Sequence, residues 1–377
     1  MLATSGRITA YIRNSIGPTA TLPAARNVIS KSQLLRLHKW CGLFAFGLIL
    51  IQAASGAINA FRYEAGQLFD PTGMIRQSDG MDAPLNDVLR SLRDAYPEQP
   101  LERIVFPKGP RGILLAHLLS DTGEKSLVAV DPGSGEILRS GTLWAFPAEA
   151  AARIHYDLTI GLPGISIVAA TGILCLTMAI TGFSFWWPQK GRLLQRLRID
   201  CQAPGKTLLR QLHRTTGVAM SLLLSFSLIT GAVLAVDYIA TGLVSTPMPV
   251  SGLSRGTVVD VDALVRQAKS QYPRRRIRDV RFVDDTRANV FLMAPERSPR
   301  AVHQVGIDVS SGVVTTTADA KGNTELWVTW LPLHTGEWLG TFGLVLITSN
   351  ALALLLLAVS GPVMWFNRVK HRRRKSR

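Results

Sequence analysis

Four of the seven histidines in this 377-residue chain recur in register, and they are its most chemically suggestive residues. His38 and His213 each stand in a Leu-His-basic triplet, Leu37-His38-Lys39 and Leu212-His213-Arg214, with Gly42 and Gly217 four positions on. Each opens an apolar run that closes on Ser55-Gly56 or Thr230-Gly231, the glycine 18 residues after the histidine. That interval is about five helical turns, so histidine and closing glycine share one helix face. His155 and His334 form a second set. Each has glycine nine positions later (Gly164, Gly343), Thr181-Gly182 or Ser360-Gly361 ending at plus 27, and tryptophan at plus 31 (Trp186, Trp365).

Imidazoles so placed suit three roles. Two neutral rings from facing helices supply the axial ligands of a non-covalently held b-type haem. Combined with nearby Asp157 and Glu337, His155 and His334 would instead suit a hard metal ion. Third, interfacial histidines and small residues can serve helix packing alone. Covalent haem attachment is excluded in its usual form, because no Cys-x-x-Cys-His occurs. Of three cysteines, Cys41 and Cys175 lie in apolar runs and Cys201 in a basic loop, so no disulfide is expected in the polar domains. Pro204-Gly205-Lys206-Thr207 lacks the upstream glycine of a phosphate loop, and no Gly-x-Gly-x-x-Gly opens a dinucleotide fold.

The elements that must position the histidines are membrane spans. Apolar runs of spanning length cover about 41–61, 164–187, 215–236 and 339–366. The formal charge of +16 is not spread as in a nucleic-acid-binding protein. Residues 1–39 carry six Lys/Arg and no acid, 188–214 seven against Asp200 alone, and the tail from Asn367 seven and no acid. The polar stretches are nearly balanced, with ten basic against thirteen acidic residues over 62–154 and twelve against nine over 238–333. This asymmetry predicts both termini in the cytoplasm and both polar domains outside, in the periplasm of a Gram-negative host. The segments are then a basic arm (1–37), a span (38–61), an external domain (62–154), a span with its lead-in (155–187) and a cytoplasmic loop (188–212). A third span (213–237), a second domain (238–333), a fourth span with its lead-in (334–366) and a basic tail (367–377) complete the chain.

The two external stretches share a plan. Asn86–Tyr96 and Val261–Tyr272 have helical spacing and stop at Pro97 and Pro273; strand-like runs follow each, around turns at Asp131–Gly135 and Asp308–Gly312. Offsets of 175 between His38 and His213 and 176 to 177 between the domain landmarks agree, which predicts two tandem copies of span, domain, span. His117 and His303 have no counterparts and are expected at the surface. Trp186, Trp187 and Trp365 are expected in an interfacial belt, and Arg274-Arg275-Arg276 in a solvated patch.

The Leu-His-Lys/Arg openings, the Ser/Thr-Gly closings and the helix-Tyr-Pro-strand domains together resemble the PepSY-associated transmembrane (PepSY-TM) family, from about residue 33 to 367. The resemblance implies an integral membrane α-helical protein: four transmembrane helices in two repeats, each repeat carrying a small α+β PepSY-like periplasmic domain. It further implies haem b, two per chain, with His38, His213, His155 and His334 as axial iron ligands. The implied activity is that of an inner-membrane oxidoreductase. Electrons would pass from a quinol or partner reductase to a periplasmic ferric siderophore and release ferrous iron; a ferric hydroxamate is the acceptor we expect. A non-redox PepSY module that binds peptides or regulates envelope proteolysis is the alternative.

Overall fold

The computed structural model describes residues 30–120, 125–187, 193–244, 250–323 and 325–375. Most of the predicted basic arm (1–29), part of the loop (188–192) and the last two residues lie outside the described residues.

The chain opens with helix α1 (Lys31–Ala60), whose N-terminus is closed by a reciprocal capping box between Ser30 and Gln33. Two short helices follow, α2 (Arg62–Phe69) and α3 (Pro71–Met74), then α4 (Leu85–Ala95). Strands β1 (Leu101–Val105), β2 (Leu114–Leu119), β3 (Lys125–Val130) and β4 (Ile137–Gly141) lead to α5 (Pro147–Asp157) and α6 (Leu162–Trp186). Helix α7 (Leu193–Leu197) precedes α8 (Gly205–Val244) and α9 (Val261–Gln271). Strands β5 (Ile277–Phe282), β6 (Arg287–Met293), β7 (Val302–Asp308) and β8 (Val314–Ala318) then lead to α10 (Leu326–His334) and α11 (Gly340–Lys375).

Helices α1, α6, α8 and α11 are long and apolar enough to cross a membrane. Their large apolar side chains point outward as well as inward: Phe44, Leu222 and Phe342 are all exposed. A helix apolar on every side needs an apolar solvent, which the bilayer supplies. The contacts close a ring, with α1 and α8 each packed against both α6 and α11. Thus α1 faces α8 across the bundle.

The strands form one antiparallel sheet in the order β4-β3-β2-β1-β5-β6-β7-β8. The sheets predicted for the two external stretches are thus joined into one. β1 and β5 pair through Arg103↔Arg281, Ile104↔Val280 and Val105↔Asp279, fusing the two halves. Each half alone would leave that strand as an open edge of unpaired N–H and C=O groups, and mutual pairing removes both edges. Helices α4 and α9 lie together on one face. Their N-termini cap each other: the Asp262 carboxylate accepts from the Leu85 and Asn86 amides at 2.9 and 3.0 Å, and Asn86 Oδ1 accepts from the Val261 amide at 2.8 Å. The core between helices and sheet holds Val88, Leu92 and Leu264 against Ile104, Val280, Phe282 and Val290. Phe282 is wholly buried beside the seam. Phe282→Ala should destabilise the sheet domain by about 3–5 kcal/mol, read as a fall in the denaturation midpoint; a loss under about 1 kcal/mol would contradict this packing.

The two predicted turns are present and alike. Gly135 and Gly312 have φ of 72° and 68°, which suits glycine, and donate to the carbonyls of Asp131 and Asp308 at 2.9 Å. The lone histidines are more enclosed than expected, His303 buried and His117 half-buried. His303 is 5% exposed and stacks on Tyr272 with ring centroids 4.0 Å apart. His117 lies on β2 opposite Arg103, and burial followed by the Arg103 charge pushes its imidazole down to about 3. Trp186 is buried as well, against Phe183, so of the two neighbouring tryptophans only Trp187 is positioned for a belt. The arginine run is partly engaged: Arg275 pairs with Glu296 at 2.8 Å and Arg276 donates to the Lys108 carbonyl at 2.7 Å.

Candidate functional site: two histidine pairs at the ends of the bundle

His38 and His213 lie near the starts of α1 and α8, at the end of the bundle away from the sheet. His155 and His334 lie on the short helices α5 and α10, between the sheet and the spans that follow. The bend expected at Leu162-Pro163-Gly164 occurs just before it, where Leu158, Thr159 and Gly161 have positive φ of 53°, 65° and 67°. In the other half Gly336 and Gly340 do the same work at φ 74° and 55°. Gly164 and Gly343 then let each span tuck against its own turn. A Cβ at Gly164 would stand 1.7 Å from the Asp157 carbonyl oxygen, and one at Gly343 would stand 1.9 Å from that of Gly336.

The fold brings the four histidines together in two pairs. The His38 and His213 ring centroids are 6.3 Å apart with planes at 87°; those of His155 and His334 are also 6.3 Å apart, at 30°. Every ring has its Nδ1 anchored by the other long helix of its own half. His38 Nδ1 meets the Met178 carbonyl at 2.9 Å and Thr181 Oγ1 at 3.3 Å. His155 Nδ1 meets the Gln52 carbonyl at 3.1 Å, with Ser55 Oγ at 3.5 Å. His213 Nδ1 meets Ser360 Oγ at 2.7 Å, and His334 Nδ1 meets Thr230 Oγ1 at 3.0 Å and the Ser227 carbonyl at 3.1 Å. A carbonyl only accepts, so His38, His155 and His334 carry their proton on Nδ1. Ser360 donates to the Leu357 carbonyl at 3.4 Å and is left to accept from His213 in the same sense. Nε2 of all four rings is therefore the basic nitrogen, and it has no hydrogen-bond partner among the described residues.

The Ser/Thr-Gly closings make these seats, a role the spacing alone did not reveal. They sit level with the histidines of the opposite helix, as the surface each ring rests on. A Cβ added at Gly56 would come within 2.8 Å of His155 Cε1; at Gly182, 3.0 Å from His38; at Gly231, 3.0 Å from His334; at Gly361, 3.7 Å from His213. The backbone carbonyls of Gln52, Met178 and Ser227 escaped the sequence reading because a carbonyl carries no residue signature.

The geometry suits a bis-imidazole metal centre. Two imidazoles that both turned Nε2 toward one metal, at bonds of about 2.0 Å, would have ring centroids within about 6.2 Å of each other, close to the separation of each pair. Nδ1–H anchored to oxygen, with Nε2 free, is the usual arrangement of a metal-binding histidine. The acids proposed for a hard ion are already engaged. Asp157 is 3% exposed and pairs with Arg153 at 2.8 Å, and Glu337 is gripped by Arg300 through two bonds of 2.7 Å. Arg62, which opens α2, likewise holds Glu149 of α5.

A family model described as PepSY-associated TM region matches residues 35–368. The chain belongs to the PepSY-associated TM family. The match spans both histidine pairs and the whole of the sheet, so the PepSY-TM protein is a membrane module carrying PepSY domains. No curated protein matches it. Among solved structures, a Clostridium difficile 630 protein assigned as a lipoprotein is similar at 7% identity and a TM-score of 0.28, over 64% of this chain and 95% of that one. A likeness at that level carries no argument.

Proposed function

We propose that this PepSY-TM protein is a haem-containing inner-membrane reductase, built as two copies of span, domain, span. On this reading it passes electrons from the cytoplasmic or quinol side to a periplasmic ferric siderophore. The observation that carries the reading is the pairing of four histidines, each anchored at Nδ1 and free at Nε2. His38 with His213 and His155 with His334 would each hold one haem b, which supplies one-electron exchange when bound.

The chain's own part is to fix ring orientation, keep Nε2 deprotonated and wall the sites off from water with apolar spans. With both termini cytoplasmic, as the basic segments argue, the pair beside the sheet is the one nearest the periplasm. An acceptor too large for the membrane would meet the protein there. Reduction serves release because ferrous iron is softer and is held less well by hard oxygen donors.

The test is the visible spectrum of full-length protein expressed with ample haem. A low-spin b-type spectrum at two haems per chain is expected. A colourless preparation would sink the reading and favour the non-redox PepSY module. A second measurement follows ferrous iron with a ferrous-specific trap after reduced protein meets a ferric chelate. His334→Ala should abolish that signal while the distal haem stays reducible; trapping at the wild-type rate would mean the outer pair is not the exit.

A further inference from the structure

One face of the sheet carries α4 and α9. The other looks toward the bundle, since Leu115, Leu127 and Ala129 on it pack against Phe146, where α5 begins, and against Met74 of α3. Strand register places on this second face a continuous row, His117–Arg103–Arg281–Asn289, and beside it Leu115–Val105–Asp279–Phe291. The centre of a sheet face is an unusual place for arginines. Arg281 and Arg278 share a single carboxylate, Asp279, at 2.8 and 2.7 Å, and both stack over Phe291 at 4.5 and 5.1 Å. Arg103 has no hydrogen bond or ion pair among the described residues, and its Nε is buried. Burial and the neighbouring Arg281 push its guanidinium below its ordinary value.

The same sign of charge continues toward the outer histidines. The Arg62 charge reaches His117, and that of Arg300 reaches His334. Lys108 lies over the Tyr63 ring at 4.5 Å with no carboxylate partner among the described residues. Seven basic side chains (Arg62, Arg103, Lys108, Lys125, Arg278, Arg281 and Arg300) thus meet four carboxylates (Glu102, Glu149, Asp279 and Glu337), with Glu64 at the margin near Lys108. Stacking on Phe291 stabilises a cation without neutralising it. An unpaired, half-buried guanidinium is costly unless an anion completes it, and a surplus of one sign concentrates anions beside it.

We propose that this sheet face, centred on Arg103 and Arg281, binds the negative charge of the electron acceptor, whose class is therefore a polyanionic ferric chelate of carboxylates or catecholates. The assignment rests on the reductase reading for the acceptor's role, but not for binding. It replaces the hydroxamate expected from the sequence. Three hydroxamates cancel the charge of one ferric ion and leave nothing for the arginines to hold. Catecholates or surplus carboxylates leave the complex strongly negative.

Gallium(III) chelates test this separately from electron transfer, because gallium(III) matches the charge and size of ferric iron but is not reduced. Calorimetry on the full-length protein in detergent would compare gallium citrate with gallium desferrioxamine. Gallium citrate should bind at least about tenfold more tightly at low salt and weaken as salt is added. Arg103→Gln and Arg281→Gln should each lower its affinity about tenfold, and Arg103→Lys should keep most of it, with circular dichroism unchanged. Equal affinity for the two chelates, or salt-independent binding in the wild type, overturns the proposal. So does an Arg103→Gln variant that keeps citrate affinity but loses haem, because the row would then serve the haem's own carboxylates. If the protein is colourless yet binds gallium citrate in this arginine-dependent way, the anion site stands and the reductase reading falls.

Discussion

His213→Ala is expected to remove one haem per chain and leave the other, halving the haem absorbance per polypeptide. His213 and His38 form a pair with ring centroids 6.3 Å apart near the distal end of the bundle, and His155 with His334 form another beside the sheet. The rings of the second pair are anchored by Gln52, Ser227 and Thr230, none of which touches His213. The loss should therefore be confined to one site. The helix itself should tolerate the change, because alanine is the better helix former and α8 runs unbroken through this position. A pyridine haemochrome assay gives the stoichiometry, and circular dichroism checks that the helices remain. Retention of two haems at full occupancy would remove His213 from the ligand set. Loss of both with helical content intact would mean that the pairs are not independent.

The second large effect needs no ligand to be touched. Gly56→Ala puts a methyl group within 2.8 Å of His155 Cε1, closer than such atoms approach, so the ring must turn or the helices must part. Either movement breaks the 3.1 Å bond from His155 Nδ1 to the Gln52 carbonyl and re-aims Nε2. Disturbing a partner of this kind typically costs about 10–100-fold in metal affinity, and here the imidazole is displaced as well. Occupancy of the site beside the sheet should fall accordingly, with the distal site unaffected. Gly47 lies on the same helix with nothing within 4 Å of its Cβ position, so Gly47→Ala is the matched control. Equal haem content in the two variants would show that Gly56 has no part in seating His155.

Much of this architecture is written in the chain. The four spans follow from unbroken apolar runs, because a helix that buries nothing polar in lipid needs no tertiary partner to declare itself. The histidine pairs followed from similar offsets, 175 between His38 and His213 and 179 between His155 and His334, since repeat-equivalent positions in spans that run the same way must arrive at the same bundle end. Helices α4 and α9 were legible from periodicity and from the prolines that stop them.

What the chain could not announce were contacts between segments far apart in sequence. The pairing of β1 with β5, which turns two sheets into one, depends on two open edges meeting, and neither strand's residues name its partner. The Nδ1 anchors are mostly backbone carbonyls, identical at every residue, and become selective only when a helix brings one of them within 3 Å or so of a ring. The arginine row is the clearest case. Arg103 and Arg281 look like ordinary charged positions of separate strands, 178 residues apart. Antiparallel pairing aligns them on one face, and burial then makes their unbalanced charge a property of the fold.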